Sequence, residues 1–358
     1  MKRALKRTAA ALLAALLCGC GAAGTDAGLA FDDQKSEPTA LVLALPQSLP
    51  QMMETTVQKF CGQVSKQSQG TMTVTLRRCT SQRGIAAAVT GDGCDLALLS
   101  TWEMARQEPG LGMTAAPFFW ESTDHFLAAL NKPENLQLAG KLLDGSMKAQ
   151  PLGVYCRGGL QVVSTRLLTA RYGFSRSRVV LPYGLNSLWP QLFGQVGSGA
   201  ALQQTALQPL SQVLQDNDAQ VLVCDADQAL TLENSLGEVY GYGIDAGFSG
   251  DWLLLTDKTA ETLNDRQLAA LREAVASSMA SCAELRDANE RAAWVDGLSK
   301  SEQTGPTLQA QGEICLSQKI LPLQTEWNRE LLSAYRLSYP FITELPAAAA
   351  AASSQSGG

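Results

Sequence analysis

The sequence predicts an α/β chain organised as two domains, and three observations carry that expectation. Short apolar or β-branched runs alternate with helix-spaced segments from residue 40 to residue 100, in the β-α-β-α-β order of a parallel sheet. The body left after an N-terminal leader and tether is roughly 300 residues, and single cores stop growing near that size. A helix-periodic run from residue 265 to about residue 296 measures ~48 Å at ~1.5 Å per residue, longer than one domain is wide.

The elements follow in order. "ALVLAL" (40–45) is a continuous apolar run fit for a buried strand, ended by Pro46 and Pro50. Residues 51–68 place Met52, Met53, Val57, Phe60, Cys61 and Val64 at helical spacing, with Gly70 as the stop. "MTVTL" (72–76) alternates and is β-branched, hence a second strand. "GIAAAVTGDG" (84–93) gives a short helix and stop, and "CDLALLS" (94–100) a third buried strand. Further on, the pattern predicts helices at 122–131, 134–147, 185–196 and 203–215, and strands at 151–156, 160–165, 178–181, 219–224 and 248–256. The glycines of "EVYGYGIDAGFSGDW" (238–252) mark a bent segment able to pass between domains. Asn264 and Gln267 form a capping-box pair at the start of the long helix. The low-complexity end, "LPAAAAAASSQSGG", has nothing to bury.

Lys2, Arg3, Lys6 and Arg7 precede an uncharged run from Thr8 to Leu17, too short to span a bilayer and read as a secretory leader. It ends Leu17-Cys18-Gly19-Cys20, which resembles the bacterial lipobox. The resemblance implies that Cys20 becomes the first mature residue and carries lipid. A diacylglyceryl group there supplies the two chains that stable anchoring takes. Residues 21–39 are too poor in apolar groups to form a core and read as a flexible tether.

The chain carries a net charge of -6, and removal of the leader's four basic residues leaves 24 against 34 acidic ones, a net of -10. An acidic body without a basic run excludes nucleic-acid binding as its role. Seven of the nine cysteines lie beyond the leader, none in C-x-x-C spacing, so no metal site is expected; Cys94, Cys156 and Cys224 read as small buried hydrophobes. His125 is the single histidine, at a helix start with no nucleophile elbow nearby, which leaves Ser-His or Cys-His catalysis without a base. No catalytic residue and no cofactor is expected.

Four segments resemble the solute-binding proteins of TRAP transporters, the DctP-like family: "TTVQKFCGQVSKQSQGTMTVTL", "GIAAAVTGDGCDLALLS", "AAPFFWESTDHFLAAL" and "YGIDAGFSGDWLLLTDKTAETLNDRQLAALREAVASS". Their order and spacing cover roughly residues 40–315. The resemblance implies an α/β, two-lobe periplasmic-binding-protein-like fold with hinge strands and a long bridging helix. It divides the chain into a lipoprotein signal peptide (1–19), a tether (20–39), one lobe from 40–155 and 245–285, a second from 156–244 and 286–346, and a disordered tail (347–358). The implied role is capture of a small molecule, an organic acid among the candidates, and its delivery to TRAP membrane subunits outside the cytoplasmic membrane.

Ligands of open α/β sheets bind at the carboxyl ends of strands. That rule nominates Trp102, Phe118, Phe119 and Trp120, Arg157 after "PLGVYC", Tyr183 and Asn186 after "RVVLP", and Asp225 and Asp227 after "AQVLVC". The family's arginine in a Lys-x-Arg-x-Pro strand has Val180 in its place, with Arg178 two residues earlier on the same face and Arg176 beyond it. Its second arginine is replaced by Gln161. The bidentate clamp for a carboxylate is thus altered. An ABC-type receptor, a diverged ligand sensor, and an enzyme using Asp225 with Asp227 as acid and base are the other readings. Arg157→Ala is expected to abolish binding and leave the empty protein's melting nearly unchanged.

Overall fold

The computed structural model describes residues 38–293, apart from 109–110, 112–113, 115–119, 121, 167–176, 182–199, 204–209, 217, 237–238 and 242–246, together with 299–300. The described residues form one compact unit. Its strands are β1 (Thr39–Pro46), β2 (Met72–Cys79), β3 (Leu96–Ser100), β4 (Ala149–Ser164), β5 (Arg178–Leu181), β6 (Ala200–Gln203), β7 (Val221–Cys224), β8 (Tyr240–Gly241), β9 (Gly247–Thr256) and β10 (Ser299–Lys300). The described helices are α1 (Gln51–Gln67), α2 (Gln82–Thr90), α3 (Thr101–Gln107), α4 (Thr123–Leu130), α5 (Pro133–Leu143), α6 (Leu210–Asp216), α7 (Ala226–Leu236), α8 (Asp257–Thr262) and α9 (Asp265–Glu290).

The strands order as β2-β1-β3-β9-β4-β7-β5-β6, with β8 on β4 and β10 on β8. β1 pairs parallel with β2 and β3, as the β-α-β-α-β pattern requires. β9 and β4 then run antiparallel to their neighbours, and β5, β6 and β7 are again mutually parallel. The alternation of a strand's side chains sends Leu41, Leu43 and Leu45 to one face, where they meet Phe60 of α1 and Leu271 of α9. Ala44 and Leu99 face the other side, with Ile85, Phe126 and Trp252. Val163, Val180, Leu222 and Leu232 build a third cluster around β5 and β7. Asp95 ties the first half together: its carboxylate accepts from the Val42 N–H (2.7 Å) and from the Thr259 hydroxyl (2.7 Å).

Two expectations are corrected. Residues 151–156 and 160–165 are not separate strands; β4 is one 16-residue strand. It pairs with β9 as far as Leu160 and with β7 from Gln161, so it crosses from one half of the sheet to the other without leaving it. Residues 200–203 are strand, not the start of a helix over 203–215, because β6 pairs with β5 along its whole length. The predicted helix at 185–196 lies outside the described residues.

The long helix starts as the sequence predicts. Asn264 Oδ1 accepts from the Gln267 N–H at 2.9 Å, and Gln267 Oε1 accepts from the Asn264 N–H at 3.1 Å. Loss of that cap in Asn264→Ala should cost about 1 kcal/mol, read by urea unfolding; an unchanged midpoint would contradict it. α9 holds 26 residues, about 39 Å at ~1.5 Å each. It packs on α1 at one end, and at the other Asn289 donates to Asp227 of α7 (2.9 Å) while Glu290 accepts from the Gly159 N–H (3.0 Å). One helix therefore touches both halves.

The cysteines behave as small hydrophobes: Cys94, Cys156, Cys224 and Cys282 are buried, and the six described cysteines carry no disulfide. Burial pushes the Cys94 and Cys282 thiols up to about 11.

Candidate functional site

A cleft of about 480 Å³ opens where the two halves meet, within the size range of small-molecule sites. One wall comes from the β1–α1 loop (Pro46, Ser48, Leu49, Pro50) and the α1 and α2 N-termini (Gln51, Gln82). The other is α6 and α7, through Leu210, Gln228, Thr231 and Leu232. Arg157 of β4 and Asp251 of β9 form the floor, on the strands that join the halves.

Arg157 owes its position to an irregularity. Cys156 pairs with Gly250 and Gly158 with Ser249, so Arg157 is the extra residue of a β-bulge, which re-aims a side chain out of the ladder's alternation. Gly158 makes the bulge possible: its φ is +123°, and a Cβ there would lie 2.5 Å from Glu290 Oε1. The Arg157 side chain is 12 % exposed and is held on three sides. Its Nε donates to Ser249 Oγ at 2.9 Å and lies 3.4 Å from Asp225 Oδ2 and 3.3 Å from Asp251 Oδ2; Nη2 also donates to Ser249. Burial disfavours the guanidinium's charge, but Asp251, Asp225 and Asp227 outweigh it and hold Arg157 above its ordinary value.

Asp225 sits just before α7 and caps it. Its Oδ1 accepts from the Gln228 N–H at 3.1 Å, and Gln228 Oε1 accepts from the Asp225 N–H at 3.1 Å, a reciprocal box. Asp227, in the first turn of α7, faces the Gln51 N–H at the start of α1, a helix without a side-chain cap of its own. Burial, then the neighbouring Asp225, raise the Asp227 carboxyl above the usual range against the pull of Arg157. Burial likewise raises Asp251, opposed by Arg157 and reinforced by Asp225. Asp225 Oδ2 and Asp251 Oδ2 are buried and accept no hydrogen bond.

The sequence-nominated residues divide. Arg157 and Asp227 line the cleft, and Asp225 stands behind Arg157. Trp102 and Trp120 are each 3 % exposed and belong to the hydrophobic core, Trp120 edge-on to Phe126 at 5.4 Å. Arg178 is half-buried at the start of β5, and its backbone meets Gln220. Phe118, Phe119, Arg176, Tyr183, Asn186 and Cys20 lie outside the described residues. Sequence reasoning passed over Asp251, Ser249 and Gln82. The available signal was the charge in "GFSGDWLLLT": an aspartate inside an apolar strand needs a buried partner.

His125 takes part in the α4 cap through its backbone, whose N–H donates to Ser122 Oγ at 3.2 Å. Among the described residues, no grouping of His, Cys, Asp and Glu could hold a metal ion. None of the described helices is long and apolar enough to cross a membrane.

Comparison with solved structures places this architecture. A sugar acid binding protein of Advenella mimigardefordensis in complex with galactonate superposes with a TM-score of 0.70 at 15 % identity, over 84 % of this chain and 98 % of that one. The chain has the fold of the TRAP periplasmic solute-binding proteins. Those of Desulfovibrio desulfuricans with bound sn-glycerol-3-phosphate (TM-score 0.70, 15 % identity, 84 % and 98 % covered) and of Haemophilus influenzae with bound L-gulonate (TM-score 0.69, 13 % identity, 86 % and 99 % covered) are similar too. No protein-family model matches the sequence, and no curated protein does. The two-lobe α/β architecture of the TRAP solute-binding fold is thus present, with β4 and β9 as its crossing strands and α9 as its bridging helix.

Proposed function

We propose that the protein is an extracytoplasmic solute receptor that captures a small molecule in the cleft over Arg157 and delivers it to TRAP-type membrane subunits. The observation that carries this reading is the cleft itself: about 480 Å³ between two halves joined by β4 and β9, with the bulge-directed Arg157 on its floor. The fold shared with proteins solved around galactonate, L-gulonate and sn-glycerol-3-phosphate supports it. The lobes are residues 40–155 with 245–285 and 156–244 with 286–346; β4 leaves β9 for β7 between Leu160 and Gln161, a few residues past that boundary.

Binding alone stabilises such a receptor. A ligand at ~100 times its dissociation constant adds about 2.7 kcal/mol, so melting of the full chain against a panel of sugar acids, amino acids, polyols and amines should yield one class of hits. No shift across the panel would count against capture.

Lipid anchoring through Cys20 belongs to the same proposal and rests on the Leu-Cys-Gly-Cys order. Cys20→Ala should move the protein from the membrane fraction to the soluble one, followed by ultracentrifugation and immunoblotting. Persistence in the membrane fraction would remove the anchor.

A further inference from the structure

The charges around the cleft do not balance. Arg157 is the only basic residue among the described residues lining it, and Asp225, Asp227 and Asp251 surround that one guanidinium. With all four ionised the cluster carries a net charge of -2. Two carboxylate oxygens are also left without a donor. Arg157 Nε and Nη2 are directed to Ser249, while Asp225 Oδ2 and Asp251 Oδ2 are buried with no hydrogen bond. Asp225 is 0 % and Asp251 3 % exposed, and Asp251 lines the cleft. Buried carboxylate oxygens left in that state call for a further donor.

We propose that the cleft takes an organic cation, a small amine, whose ammonium group donates to Asp251 and Asp227. This rests on the capture function proposed above and specifies the ligand's class. An ammonium brings three donors and a positive charge, which meets both deficits at once. The geometry suits its carbon body as well: Leu49, Pro50 and Leu232 supply apolar wall, and Thr231 and Gln228 supply polar positions along α7. A metal ion does not fit, since the described residues form no metal-holding group. A carboxylate ligand would meet two cleft-lining aspartates and an arginine whose charge is already offset by Asp225 and Asp251. Like charges brought together in a desolvated site oppose binding.

Calorimetry of the full chain with putrescine, cadaverine and agmatine, against galactonate, pantoate and the neutral polyol glycerol, tests the class. At least one amine should bind tenfold or more tightly than either acid. Asp251→Asn should weaken that amine at least tenfold. The double change Asp227→Asn with Asp251→Asn should lose the amine and gain measurable acid binding, because the two cleft-lining carboxylates that repel an acid are then neutral; a purely structural role for the two aspartates would not produce that reversal. Tighter binding of an acid than of every amine overturns the cation proposal and leaves capture standing. Failure of amines, acids and neutral polyols alike overturns both.

Discussion

Replacing Arg157 with methionine should lower the melting temperature by on the order of 10 °C. The expectation from sequence, loss of binding with melting unchanged, does not survive the geometry: the side chain is 12 % exposed and ion-paired with Asp225 and Asp251. Removing one partner of a buried charge pair costs about 3–5 kcal/mol, because the other charge is left uncompensated. Spread over a body of this size, that corresponds to about 2–4 °C per kcal/mol. The deficit should depend on pH with a definite sign. Asp227 and Asp251 already sit above the usual carboxylate range, by burial first, and losing Arg157 raises them further. A carboxyl raised in the folded state binds more protons folded than unfolded, so stability falls as pH rises through the raised value. The Arg157→Met deficit is therefore greatest at neutral and alkaline pH and shrinks on acidification. Circular-dichroism melting from pH 5 to 8 reads this directly, and a pH-independent deficit would refute the buried-pair account.

Gly158→Val should be the second severe change. The position has a φ of +123°, and the new Cβ would meet Glu290 Oε1 at 2.5 Å. Backbone strain of this kind costs about 1–3 kcal/mol for a residue with a side chain. The bulge must also shift, and with it Arg157, so binding should weaken at least tenfold while the protein remains folded. Gly62→Ala is the matched control. Gly62 lies inside α1, and a Cβ there meets nothing within 4 Å. It should raise stability by about 0.5–1 kcal/mol and leave binding alone. Equal behaviour of the two variants would show that the bulge does not position the arginine.

These two residues also show where sequence reading reaches its limit. The elements with strong periodicity or capping chemistry are legible: β1, α1, β5 and the Asn264–Gln267 box stand where the pattern puts them. Gly158 and Gly159 read as a break between strands, whereas the ladder to β9 absorbs the extra residue and continues. "AALQ" at 200–203 has helical propensity, but pairing with β5 overrides it. Aromatic residues after strands made reasonable ligand candidates, yet Trp102 and Trp120 are claimed by the core, a packing decision that no local pattern records. Arg157 and Asp225 were reachable because strand ends collect function. Their joint neutralisation was not, since Asp251 comes from a strand 94 positions along the chain and meets Arg157 only through tertiary pairing.

Strand β9 is buried at all ten of its positions, pairs with β4 along its length and is flanked on its other side by β3 over Asp251–Leu255. Amides so enclosed have no local route to deuterium and must wait for the molecule to come apart as a whole. The slowest-exchanging protons of the protein should therefore be found in the stretch that spans the two halves, and any rocking of one half against the other has to proceed by twisting that ribbon while its rungs stay intact.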